Sequence, residues 1–351
     1  MTLGVKVCYR YQEHDADIRP SKGREKPMPQ RHVGKTLVGA VLLAVVLTAA
    51  AVIAAGASAR PAAPAAVIKV GLITKDATNP FFVKMRAGAT AAAKKSGAQL
   101  MYAAGKSSSD NASQIAAIEN MTTAGVKGIL ITVADGKAEN AAIAKARKAG
   151  VLVIALDSPT VPKSATNALF ATNNFNAGVL IGKYARAATK GKTVTIAMLD
   201  EHAGSSVGAL RHNGFLKGFG ISNSDSQIAC VGNGEGQTAP SQTAMENCIQ
   251  KNPNIDVVYT INEPSAAGAF TALKNAGKTS DDVTVVSVDG GCQGVRNVKA
   301  GIIDATSQQY PLLMASRGVA AVVNYAKTGK KVSGYTDTGV NLITGKPLAG
   351  V

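Results

Sequence analysis

Tryptophan is absent from this chain, and only 4% of its 351 residues are aromatic. With so few rings, and no basic cluster interleaved with them, the sequence lacks the footprint of a nucleic-acid binder. Cysteine is scarce as well: there are four, with no Cys-x-x-Cys pair and no Cys/His cluster, so no metal site is expected. No P-loop occurs, and Gly232, Gly234 and Gly236 lack the G-x-G-x-x-G spacing of a dinucleotide fold, so no cofactor is expected either. Of the formal charge of +16, residues 1–36 supply eight Lys or Arg against four Asp or Glu. The remaining +12 is dispersed along the chain, mostly as single lysines, which reads as a solvated surface.

One long apolar run exists, Leu37 to Ala55. Arg31 and Lys35 precede it and the small-x-small sequence Ala57-Ser58-Ala59 follows, which is the layout of a cleavable export signal ending near Ala59. Residues 1–59 are therefore read as an N-terminal extension and signal, with Met28 an alternative start, and residues 60–66 as a Pro/Ala linker. An uncleaved membrane anchor is the other reading of the same run. Export permits disulfides. Cys230 ends one expected strand and Cys248 lies in the next expected helix, so these two are the candidate bridge, leaving Cys292 as an odd cysteine.

Beyond the linker, short Val/Ile/Leu runs alternate with amphipathic stretches. Strands are expected near 67–74, 98–102, 128–133, 151–156 and 168–172, then near 194–199, 227–231, 256–261 and 283–288. Helices are expected over 80–95, 110–124, 138–149, 175–188, 205–219, 239–250 and 265–276. That alternation implies two parallel sheets, each covered on both faces. Polar residues end many of the strands: Asp157, Asn173-Asn174, Asp200-Glu201, Asn262-Glu263 and Asp289. One such residue is ordinarily a helix cap, but a series on two facing sheets points to a shared polar cleft, with Asp289 at an exposed strand end. The segment Ile73 to Phe82, ITKDATNPFF, adds Asn79, Pro80, Phe81 and Phe82 where a strand hands over to a helix, a mixture of polar edges and flat faces suited to a sugar. Its plain alternative is a helix cap followed by two core phenylalanines. His202 and His212, beside Asp200 and Glu201, are a weak acid/base or metal alternative, and Asp200 with Asp289 a weak glycosidase pair. Binding without catalysis is the simpler account.

From Lys69 onward the chain resembles the ribose-type periplasmic sugar-binding proteins of bacterial ABC transporters, most closely the fructose-binding branch. The resemblance is carried by GLITKDATNPFF (Gly71–Phe82), VIALDSP (Val153–Pro159), LRHNGFLKGFG (Leu210–Gly220), VVYTINEP (Val257–Pro264), VSVDGGC (Val286–Cys292), ATSQQYPLLMAS (Ala305–Ser316) and DTGV (Asp337–Val340). It implies a two-lobed type I α/β fold with three crossing strands near Ala171–Asn174, Ser307–Tyr310 and Asp337–Val340. One lobe would hold 67–172 and 310–336, and the other 173–309 and 337–351. It implies sugar contacts at Asn79, Phe81, Phe82, Asp157, Arg211, Asn262, Asp289 and Gln309, with Asn173, Asn174 and Tyr310 at the hinge. Ser158 stands where ribose binders usually carry an arginine, which enlarges the pocket and agrees with the fructose branch, whereas Asn173 stands where an aspartate is commoner. The loop Gly232 to Gln237 occupies the place of another contact and yields no single residue. The implied partners are a monosaccharide and an ABC permease with its ATPase, for an exported monomer of the periplasm or cell surface. Repressors of the same body carry a DNA-binding domain where this chain carries its leader. A sugar sensor presenting its closed form to a chemoreceptor, or a binder of another sugar, is the alternative function.

Overall fold

The computed structural model describes residues 67–351. The apolar leader, its cleavage site, the linker and Cys8 lie outside the described residues. Among those described, no helix is long and apolar enough to cross a membrane.

Two six-stranded sheets organise the chain. The first takes β1 (Lys69–Thr74), β2 (Gln99–Ala104), β3 (Gly128–Ile131), β4 (Leu152–Leu156), β5 (Ala168–Ala171) and β11 (Gly334–Asp337), in the order β11-β5-β4-β3-β1-β2 and parallel throughout. The second takes β6 (Ile196–Asp200), β7 (Ile228–Asn233), β8 (Val257–Thr260), β9 (Thr284–Asp289), β10 (Ala305–Gln308) and β12 (Asn341–Thr344), in the order β12-β10-β9-β8-β6-β7. Here β12 runs antiparallel to β10, so the expectation of purely parallel sheets fails at one edge. The chain enters β12 from β11 of the first sheet rather than by a crossover within the second, so the right-handed parallel connection does not govern its direction. Only three residues separate β11 from β12, which belong to different sheets.

Strand periodicity explains why both faces of each sheet are covered. On β1, Val70 and Leu72 face one core with α1 (Pro80–Ser96) and α9 (Pro311–Thr328), whereas Ile73 faces the other with α2 (Asn111–Thr123) and α3 (Asn140–Lys148). On β6, Ala197 and Leu199 face α6 (Thr238–Lys251), α7 (Glu263–Asn275) and α8 (Cys292–Lys299), while Ile196 and Met198 face α4 (Asn174–Ala188) and α5 (Ser206–Phe219). Alternate side chains therefore enter alternate cores, as the pleat requires.

Glycines let α4 and α5 approach until their backbones touch. A Cβ on Gly178 would lie 2.2 Å from the Arg211 carbonyl oxygen, and one on Gly214 2.1 Å from that of Phe175. Gly182 and Gly218 are equally tight, against Phe215 O at 2.3 Å and Val179 O at 2.2 Å. Cys230 and Cys248 form a disulfide with Cα atoms 5.5 Å apart, tying β7 to α6. Cys292 is not an odd thiol, because no free cysteine remains among the described residues.

Candidate functional site

Strand ends build the site. β4 runs into Asp157 and β9 ends on Asp289, and both depart from ordinary backbone geometry, with φ of 59° and 122°. An L-residue held at positive φ costs on the order of 1–3 kcal/mol, and such strain concentrates where a side chain must be aimed. Glu235, at φ 53°, is a third such residue and lies in the loop after β7.

Between these ends lies a buried polar network centred on Arg211 of α5. Its Nε donates to Asn174 Oδ1 at 2.8 Å, Nη1 to the Ile261 carbonyl at 2.9 Å, and Nη2 to Gln309 Oε1 at 2.6 Å and Asp157 Oδ1 at 3.5 Å. Asp289 Oδ1 lies 3.7 Å from Nη1. Gln309 Nε2 donates to Asp157 Oδ1 at 3.0 Å, and Asn174 Nδ2 donates to both the carbonyl and Oδ1 of Asp157, at 3.0 and 3.1 Å. A guanidinium that only donates, carboxylates that accept, and amides that do both give the full set of behaviours a polyol requires.

The electrostatics are tense. Burial pushes the Asp289 carboxyl up to about 7, against the downward pull of Arg211 and with Asp157 adding repulsion. Burial raises Glu263 well above the usual carboxylate range, and the charge of Asp289 raises it further. Asp289 is only 7% exposed, which corrects the expectation of an exposed strand end. In the fold, Arg211 of α5 lies against Asp289 and is itself met by Asp157, after β4, and Gln309, after β10.

Of the residues singled out in the sequence, Asp157, Arg211, Asp289 and Gln309 come together, and Asn174, read as hinge, joins them. Asn262 lies beside the network: its Oδ1 caps α7 at Ser265 N and its Nδ2 holds the Gly236 carbonyl at 3.0 Å. Asn79 caps α1 through Phe81 N, and Phe81 and Phe82 pack in the first core with Leu72 and Met314. No hydrogen bond joins Asn79 to the Arg211 network among the described residues. Asn173 is an exposed cap of α4, and Tyr310 accepts from Asn341 beyond β10. Ser158 is fully buried and donates to Asp157 Oδ2 at 3.3 Å. A cavity of about 980 Å³ opens beyond Asp157 and Asn174, away from Arg211 and Gln309, with Val161, Leu169, Phe175 and Tyr335 among its walls. Asp157 and Asn174 are the members of the buried network that reach its walls.

Sequence reading missed a second set of contacts. Lys75, after β1, donates to Glu201 Oε2 at 2.9 Å, and both are buried. Ser108 Oγ donates to the Glu235 carbonyl at 2.5 Å. The only signal was the charge at these strand ends. Gly204 to Gly208, GSSVG, also spells the G-x-S-x-G of a nucleophile elbow. Ser206 Oγ instead donates to the Pro159 carbonyl at 2.6 Å, while His202 and His212 are engaged with Ala134 and Asp200, so neither histidine serves it as a base.

A model of the periplasmic binding protein domain matches residues 70–331. The chain belongs to the periplasmic binding protein family. Among relatives of this periplasmic binding protein, the ribose import binding protein RbsB of Bacillus subtilis is 27% identical over 277 residues, covering 79% of this chain and 87% of the relative. The D-allose-binding periplasmic protein of Escherichia coli is 28% identical, covering 76% and 87%. Among solved structures, an ABC transporter periplasmic solute-binding protein from Actinobacillus succinogenes with bound D-allose has a TM-score of 0.70 at 26% identity, covering 79% of this chain and 97% of that one. A solute-binding protein from Agrobacterium vitis with bound D-fucose has a TM-score of 0.72 at 26% identity, covering 80% and 97%. The matched relatives are binding proteins, and this chain is a binding protein and not an enzyme.

Proposed function

We propose that this periplasmic binding protein is the extracytoplasmic sugar-binding component of a carbohydrate ABC importer. The observation that carries the reading is the Asp157–Arg211–Gln309–Asp289 cluster, whose buried donors and acceptors come from both sheets and match the edges of a monosaccharide. The lobes would be 67–172 with 310–336 and 173–309 with 337–351, hinged near 171–174, 307–310 and 337–340. Relatives that bind ribose and allose support a monosaccharide of five or six carbons. Fructose is the sugar we favour, because Ser158 leaves open the space that an arginine fills in ribose binders, and its hydroxyl is turned to Asp157. Asn79, Phe81, Phe82 and Asn262 complete the proposed contacts, with the two rings supplying an apolar floor. The leader Leu37 to Ala59 supports export, and we read the exported protein as a monomer that delivers sugar to a permease and its ATPase.

A calorimetric panel of fructose, ribose, allose, galactose and glucose tests the reading. Fructose should bind most tightly, unchanged chemically, and free ligand at a hundred times its dissociation constant should stabilise the fold by about 2.7 kcal/mol. Tighter binding of ribose or allose would replace fructose by the sugars of the relatives. Consumption of any sugar would overturn the binder reading.

A further inference from the structure

Away from the Arg211 network and the crossing strands, one short segment makes five hydrogen bonds between the two proposed lobes. Residues 201–206, between β6 and α5, belong to the second sheet's lobe yet bond repeatedly to the first. Glu201 takes the Lys75 ammonium at 2.9 Å, and the Lys75 Nζ also reaches Ser205 Oγ at 3.5 Å. Ser205 in turn donates to Glu201 and accepts from Gly208 N at 3.1 Å, fastening the pair to the start of α5. His202 Nε2 bonds the Ala134 carbonyl at 3.1 Å, Gly136 N donates to the Gly204 carbonyl at 3.0 Å, and Ser206 Oγ reaches Pro159 O.

We propose that residues 201–206 form a clasp that holds the lobes shut by protein-to-protein contact, with Lys75 and Glu201 as its ionic element. The clasp rests on the closing-cleft reading above, but not on which sugar fills the cleft.

The energetics follow from where each charge sits in the two states. Lys75 and Glu201 are 2% and 6% exposed, so each charge is tolerated only because the other is present. Burial alone would raise the Glu201 carboxyl, but Lys75 and Ser205 outweigh it and hold it below its ordinary value. When the lobes part, both groups return to water. Removing one partner therefore leaves an unpaired buried charge in the closed form alone, and the equilibrium moves toward the open form. Gly204 is the steric counterpart. A Cβ there would lie 1.7 Å from Asp135 Oδ2, and Asp135 cannot simply turn away, because its Oδ1 accepts from Lys137 N at 2.7 Å and Ala138 N at 3.1 Å. Gly204 has no positive φ, so alanine fits its backbone and meets an obstacle only when the lobes close.

The experiment compares wild type, Gly204→Ala, Glu201→Gln and the neutral pair Lys75→Met/Glu201→Gln by sugar-free small-angle scattering and by titration with fructose. Melting curves check that each variant folds. Gly204→Ala and Glu201→Gln should each enlarge the sugar-free protein and weaken fructose binding about tenfold, since apparent affinity scales with the closed fraction. The neutral pair should recover part of the compaction lost by Glu201→Gln, because no charge is then stranded. Unchanged sugar-free dimensions in both single variants would overturn the clasp. So would weakened binding in Glu201→Gln with normal binding in Gly204→Ala, which would make Glu201 a direct sugar contact. If no tested sugar binds any of the four proteins, the sugar reading fails, while the sugar-free dimensions still decide the clasp.

Discussion

At the scale of single residues, Asp289 carries opposing demands. Its carboxyl is held protonated up to about pH 7 in the fold, whereas in the unfolded chain an aspartate ionises near 4. The native state therefore binds more protons between those values, and the contribution of Asp289 to stability falls as pH rises from about 4 to about 7. Asp289→Asn should flatten that slope and hold the sugar-free melting temperature at pH 8 at or above wild type, while fructose binding weakens sharply. A variant that melts well below wild type at pH 8 would show that the Arg211 contact outweighs the burial penalty. Glu263 shares the environment and is also raised, so part of the slope should persist. Arg211→Ala is the more disruptive change, because it takes away the donor to Gln309 Oε1 and the cation that faces Asp157 and Asp289, in a buried setting where a group left unpaired costs about 1–3 kcal/mol. Thermal melting and calorimetry should both register it, and a loss confined to sugar binding would contradict the network.

Residue-level legibility was uneven for a physical reason. Asp157, Asp289 and Asn262 were readable because a polar residue after an apolar run marks a strand end, and strand ends gather at one edge of a parallel sheet. Lys75 and Glu201 stood at similar ends, but nothing in a linear sequence states that two ends on different sheets will meet at 2.9 Å. Asp289 was misjudged as exposed because the groups that lie against it, Arg211 of α5 and the backbone of Gln309, come from distant parts of the sequence.

Among the elements, the α4–α5 contact positions Arg211 and is the most exacting. Gly178 and Gly182 on α4 face Gly214 and Gly218 on α5, and each would place a Cβ within 2.3 Å of an opposing carbonyl oxygen. Gly214→Ala should push the helices apart, draw Arg211 from Asn174 and cost about 1–3 kcal/mol as overpacking. A denaturant titration gives the stability, and calorimetry should show weaker sugar binding with it; wild-type values for both would mean the helices separate at no cost. The two G-x-x-x-G spacings were in plain view in NAGVLIGKYA and NGFLKGFG, although small residues in a soluble helix signal close approach only when the partner helix is known. The alternating strands and helices were legible because their periodicity is local, whereas β11 and β12 are short, polar segments at sheet edges with no apolar run to announce them. At the edge of the second sheet, the Cys230–Cys248 bond joins β7 to α6. Replacing both cysteines by serine should cost about 3 kcal/mol of stability, expected for a loop of this length, and leave sugar affinity unchanged.

For the whole molecule, the claim is that two lobes close on a monosaccharide held by residues from both. Closure must be selected by differential contact: Asp157 lies in the proposed first lobe, Arg211 and Asp289 in the second, and Gln309 at the crossing between them, so the open form offers a sugar only part of its partners. The clasp at 201–206 works beside these contacts and sets how much of the closing equilibrium is left for the sugar to supply. The most direct test is small-angle scattering of the purified protein with and without saturating fructose, with titration calorimetry on the same sample. The account predicts one site per chain and a smaller radius of gyration on saturation, with both responses lost together in Arg211→Ala. Fructose binding at unchanged dimensions, or compaction that survives Arg211→Ala intact, would contradict it.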